Sequence, residues 1–114
     1  MRKAVFPGTS GTSTATYSPG IVAQGKFLFV SGQIAFDEQG QVVGPGNIAL
    51  QATRIFESLG AILRAADTDF GNVVKTNYYI TDLSLFPEVA ALRVQYFKAP
   101  YPASTIIEVK KLLH

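Results

Sequence analysis

The chain has 114 residues, a length that predicts a single domain spanning residues 1–114. Hydrophobic residues make up 47% of it and charged residues 16%, so we expect more apolar surface than so small a core can bury, and hence self-association. The net charge is +2 with basic residues scattered along the chain, which argues against a nucleic-acid partner. The chain contains no cysteine, which excludes disulfides, thiolate metal sites and a cysteine nucleophile.

The chain begins with a short apolar segment followed by a polar loop. Residues 2–6 are typical of an edge strand, and residues 7–20, mostly Gly, Ser, Thr and Pro, predict a loop. The loop has no Gly-Lys-Ser/Thr, so it is not a phosphate-binding P-loop. Tyr17 is the large aromatic residue in this loop. It either packs down as an anchor or lines a site.

Two further strands are predicted after the loop, over residues 21–24 and 26–31. The second contains the unbroken apolar run 27–30, which is typical of a strand covered on both faces. Ser31 and Gly32 follow this run. A glycine in such a place commonly marks a bulge or a close backbone approach, so we expect the Gly32 backbone to be able to approach a ligand.

A turn, a helix and a strand are predicted for the middle of the chain. Residues 37–40, Asp-Glu-Gln-Gly, predict a tight turn. Asn47 is a good N-cap for an amphipathic helix over about 48–66, whose apolar residues recur at spacings of three and four. Residues 73–81 form the clearest strand, in which alternate residues share a face.

The last third predicts a second helix and a final strand. Asp82 or Ser84 caps the helix, which ends before Pro100, and the strand runs to about Leu112. The order β-β-β-α-β-α-β predicts an α+β two-layer sandwich, a mixed β-sheet with two helices on one face. Ser104 and Thr105 lie where the loop becomes the last strand, and small-molecule sites are often built at such junctions.

Three segments of the sequence resemble one known family. They are Ser31-Gly32-Gln33-Ile34, Val73-Val74-Lys75-Thr76, and the loop Tyr101-Pro102-Ala103 leading into Thr105 and Glu108-Val109. In order and spacing they are similar to the RidA (YjgF) family, also labelled endoribonuclease L-PSP, over nearly the whole chain. The resemblance implies a chorismate-mutase-like fold and a homotrimer with small-molecule clefts between subunits. It also implies hydrolysis of reactive enamines and imines, such as 2-aminoacrylate, to keto acids and ammonia.

The resemblance implies a substrate site made of Tyr17, Ser31, Gly32, Ser104, Thr105 and Glu108, and leaves the catalytic residue unassigned. Family members carry an arginine at the position of Ser104, where it binds the substrate carboxylate with two parallel hydrogen bonds. Active members also often have an asparagine where this chain has Ala90. Their final strand bears a glutamate that places the hydrolytic water, whereas this chain ends at His114, so we expect it to be truncated. Glu108 and Lys75 each have a structural interpretation as well, as strand residues.

Three hypotheses remain on these grounds. The first is a divergent imine deaminase with reduced activity, because a neutral hydroxyl replaces the arginine. The second is a non-catalytic trimer that binds a small metabolite in the clefts. The third, a ribonuclease, is weakest because His114 is the only histidine. We expect no cofactor and no metal, since clustered ligands are lacking, and a cytoplasmic protein without a membrane segment.

Overall fold

The structure is a computed structural model that describes residues 2–7 and 16–113. Its four strands are β1 (Arg2–Val5), β2 (Gly20–Ala23), β3 (Lys75–Ile80) and β4 (Ala103–Glu108), and its two α-helices are α1 (Ile48–Ala65) and α2 (Phe86–Arg93). Short 3₁₀ turns precede β3 and α2, at Phe70–Asn72 and Leu83–Leu85. The predicted α+β class is confirmed. Most of the predicted loop, and His114, lie outside the described residues.

The strands form two short ladders. β1 and β2 pair antiparallel, whereas β3 and β4 pair parallel, with Thr76 opposite Ser104 and Tyr78 opposite Ile106. A parallel bridge between Ser18 and Ala103 joins the loop before β2 to the outer edge of β4. The predicted single mixed sheet is therefore two two-stranded ladders connected at this bridge. The α2 crossover supplies the long connection that a parallel pair requires.

The predicted strand over residues 26–31 is wrong. No described residue pairs with it, and Phe27 and Phe29 are 59% and 90% exposed instead of covered on both faces. Apolar residues give a segment strand propensity, but a strand exists only when a second backbone accepts its hydrogen bonds. The second helix and last strand are also shorter than predicted, ending at Arg93 and Glu108.

The core lies between the two helices and β3. Phe56 of α1 stacks on Tyr96 with ring centroids 4.6 Å apart and meets the edge of Phe97 at 6.1 Å. Ile80 and Val89 complete this cluster from β3 and α2. Alternation along β3 places Thr76, Tyr78 and Ile80 on the helix-facing side, as predicted.

The predicted ends of α1 are confirmed. The Asn47 side chain accepts a 3.0 Å hydrogen bond from the Leu50 N–H, which satisfies one of the unpaired amides of the first turn. Near the other end, Gly60 is buried, and a Cβ there would lie 3.3 Å from the Phe70 ring. Close packing against the 3₁₀ turn before β3 explains this glycine.

Candidate functional site

A corner at the start of β4 brings three distant segments together. Ser18 is 2% exposed, and its hydroxyl donates to the Tyr101 carbonyl while its N–H donates to Pro102 O at 3.0 Å. From the N-terminal strand, Arg2 Nη2 donates to Pro100 O at 2.7 Å and to Val73 O at 3.1 Å. The loop residues 100–102 are therefore fixed by polar contacts from residues more than 80 positions earlier in the chain.

Ser104 and Thr105 point to opposite faces of the β3–β4 ladder. Ser104 pairs with Thr76 and shares the helix-facing side, where its Oγ is buried and has no hydrogen-bond partner among the described residues. Thr105 is exposed on the open face, where its Oγ1 accepts a 2.7 Å hydrogen bond from Lys75 Nζ. Since neighbouring residues of a strand alternate in direction, one ligand cannot contact both hydroxyls from the same side. Of the two hydroxyls, that of Ser104 is the one able to form a further hydrogen bond with a ligand.

The other predicted site residues fall in different places. Tyr17 is 47% exposed beside the bridge to Ala103, so it is not a buried anchor. Ser31 and Gly32 lie in the wall of a groove of about 960 Å³ between α1, β3 and residues 30–36, and neither Tyr17 nor Ser104 lines it. The Glu108 carboxylate, at the far end of β4, accepts a 2.8 Å hydrogen bond from the Leu83 N–H.

One charged residue of the corner was missed by the sequence interpretation. Arg93, the last residue of α2, is only 7% exposed, and its Nη2 donates to Thr16 Oγ1 at 2.8 Å. Its guanidinium lies over the rings of Tyr78 and Phe86, at 5.7 and 5.3 Å from their centroids. Helical spacing could have found it, because Arg93 is four residues after the buried Val89 and seven after Phe86.

The described residues offer neither a metal site nor a membrane span. No group of three His, Asp or Glu side chains is placed to hold a metal ion. None of the helices in the described part of the chain combines the length and the apolarity needed to cross a membrane.

Comparison with known proteins identifies the family. Residues 9–114 match the family model described as Endoribonuclease L-PSP. The chain is 42% identical to the RutC family protein slr0709 of Synechocystis over 98 residues, 84% of this chain and 75% of that protein. It is 32% identical to the 2-iminobutanoate/2-iminopropanoate deaminase of Rattus norvegicus, covering 98% of this chain and 81% of the relative.

A solved structure agrees with these relatives. The crystal structure of RidA from the Antarctic bacterium Psychrobacter superposes with a TM-score of 0.72 at 31% identity, over 97% of this chain and 89% of that one. Both the sequence match and the architecture thus agree with the resemblance drawn from the sequence. The chain belongs to the RidA, or endoribonuclease L-PSP, family.

Proposed function

We propose that this protein is a homotrimeric deaminase that hydrolyses small imines and enamines of the 2-aminoacrylate type, with lower activity than relatives bearing an arginine at position 104. In this reaction water adds to the imine carbon, the C–N bond breaks, and a keto acid and ammonia leave. The Ser104 hydroxyl at the start of β4, buried and without a hydrogen-bond partner among the described residues, is the observation that carries the proposal. Relatives named 2-iminobutanoate/2-iminopropanoate deaminase give the substrate class.

Imine hydrolysis requires few catalytic groups from the protein. Imines hydrolyse readily, so holding the substrate beside a positioned water supplies most of what is needed. Binding of the substrate carboxylate is the step that the residue at 104 affects most. An arginine gives the carboxylate two parallel hydrogen bonds from a cation, whereas a hydroxyl gives one from a neutral donor, and each hydrogen bond to a charged group is worth about 1.5–3 kcal/mol. Binding through Ser104 alone is therefore about tenfold weaker than through an arginine there.

Assembly into a trimer would unite residues that are apart within one subunit. Ser31 and Gly32 line the groove beside β3, whereas Tyr17 and Ser104 are not among its lining residues. In a cleft between subunits, the first pair of one copy faces the corner of the next. The exposed Phe27 and Phe29 support assembly, since contiguous apolar surface of this kind is typical of an interface. Light scattering at micromolar concentration tests this, and a monomeric mass contradicts it.

A second candidate is a trimer that binds a small metabolite without turning it over. It is favoured by Glu108, because the carboxylate of this β4 residue is engaged by the Leu83 amide and is not directed at Ser104. A carboxylate held in this way is poorly placed to activate water at the corner.

The decisive measurement is keto-acid release from an imine generated from an amino acid in situ, corrected for spontaneous hydrolysis. We expect a rate above the protein-free blank but below that of an arginine-bearing family member, and the same rate in the control variant Glu57→Gln on the exposed side of α1. A rate equal to that of the protein-free blank, together with saturable binding of the keto acid, would contradict deaminase activity and favour the metabolite-binding trimer.

A further inference from the structure

Arg93 is a buried cation without a described anionic partner. Arginine is rarely this well buried unless a carboxylate or another anion compensates its charge. Among the described residues, the guanidinium contacts one hydroxyl, of Thr16, and two aromatic rings, of Tyr78 and Phe86. Its Nε is buried and has no hydrogen-bond acceptor among these residues. The arginine therefore retains capacity to bind an anion.

The contacts of Arg93 place its guanidinium on the helix-facing side of the β3–β4 ladder. One of its neighbours, Tyr78, stands on the helix-facing side of β3. Another, Thr16, is two residues before Ser18, which bridges Ala103 on the opposite edge of β4. A side chain that reaches from one to the other crosses the face of β4 on which Ser104 lies. Arg93 Nε and Ser104 Oγ, both buried and without a hydrogen-bond partner among the described residues, therefore lie on the same side of the β3–β4 ladder.

We propose that Arg93 binds the carboxylate of a small 2-keto or 2-imino acid, with the Ser104 hydroxyl donating a second hydrogen bond. The positive charge for anion binding then comes from α2, and not from the β4 position occupied by Ser104. The carboxylate displaces the Thr16 hydroxyl, because a charged acceptor binds a guanidinium more strongly than a neutral one. Stacking on Tyr78 and Phe86 holds the guanidinium in place before the ligand arrives. This inference rests on the site of the proposed function and names its ligand-binding cation.

The test uses pyruvate as the carboxylate probe and pyruvamide as its neutral isostere. We expect the wild-type protein to bind pyruvate at least tenfold more tightly than pyruvamide. Arg93→Met should lower pyruvate affinity about tenfold or more, and Ser104→Ala a few-fold, since the first removes an ion pair and the second a single hydrogen bond from a neutral donor. Arg64→Met, which removes an exposed arginine from α1, should leave the affinity unchanged.

A second readout does not depend on a folded variant. In the wild-type protein, the Nε–H resonance of Arg93 in an ¹⁵N–¹H spectrum should shift on titration with pyruvate and stay in place with pyruvamide. Equal affinity for the two probes, or an unmoved Nε–H resonance at saturating pyruvate, overturns the inference. Pyruvate binding that depends on Arg93, without keto-acid release, supports the role of Arg93 and contradicts the deaminase activity. Keto-acid release that survives Arg93→Met supports the deaminase activity and contradicts the role of Arg93.

Discussion

The Glu108 carboxylate at the end of β4 accepts a hydrogen bond from the Leu83 N–H, at 2.8 Å, and so caps the 3₁₀ turn that leads into α2. We expect Glu108→Ala to destabilise the fold by up to about 1 kcal/mol, because an exposed charge-assisted bond is lost. Glu108→Gln keeps an acceptor oxygen and should be close to wild type. Urea unfolding measures both variants, and equal stability in all three proteins would leave Glu108 free for a role in substrate binding.

Ser104→Arg should increase the rate of keto-acid release, by about tenfold, since a guanidinium binds a carboxylate more strongly than a hydroxyl does. If Arg93 already binds the carboxylate, a second cation beside it is partly redundant and is repelled by the first. The gain should then be larger in an Arg93→Met background than in the wild type. Steady-state kinetics of the wild type, the two single variants and the double variant measure the coupling free energy between positions 93 and 104. Additive effects of the two substitutions would mean that the two positions act independently.

Ser18→Ala should destabilise the protein by about 1–3 kcal/mol, because it leaves the Tyr101 carbonyl without its buried donor. Ser31→Ala is the matched control, since Ser31 is exposed and its substitution should change the free energy of unfolding by less than about 0.5 kcal/mol. Denaturant unfolding compares the two variants. A Ser18→Ala protein as stable as the control would show that the loop is fixed at the corner by other contacts.

Asp82 should make stability depend on pH in the acid range. The Ser84 hydroxyl, which donates to the carboxylate at 2.6 Å, lowers the pKa of Asp82, and the Ser84 N–H at 2.9 Å adds to the effect. A pKa lowered by folding stabilises the protein above the unfolded-state pKa, and this stabilisation disappears as pH falls through the folded-state value. The wild type should therefore be more stable than Asp82→Asn at pH 7, with the difference shrinking as pH falls below about 4 and disappearing below the folded-state pKa.

Melting temperatures at pH 7 and pH 3 test this dependence. Glu57→Gln, on the exposed side of α1, controls for the loss of one negative charge and should show no such convergence with the wild type. Ser84→Ala removes the hydrogen bond that lowers the pKa of Asp82 most. It should therefore move the pH at which this stabilisation is lost towards the ordinary pKa of an aspartate. A difference between wild type and Asp82→Asn that stays constant from pH 7 to pH 3 contradicts the assignment.

Local patterns in the sequence determined much of this fold. The cap at Asn47, the three-four spacing behind it and the alternation along residues 73–81 depend only on neighbours in the chain, so α1 and β3 were predicted close to their observed bounds. The segments that resemble the RidA family were sufficient to identify the family. The same segments show that position 104 carries a serine in place of the family's arginine.

Tertiary structure alone decided which predicted features exist and which residues meet. Residues 26–31 have the composition of a strand but form none, because strand formation needs a partner backbone elsewhere in space. The corner, too, is formed by residues that are distant in the chain. Ser18 bridges to Ala103, and Arg93 donates to Thr16, which lies 77 positions earlier. A buried charge is costly wherever it occurs, and only the packing of α2 against β3 places this one over the rings of Tyr78 and Phe86, on the side of the ladder that carries Ser104.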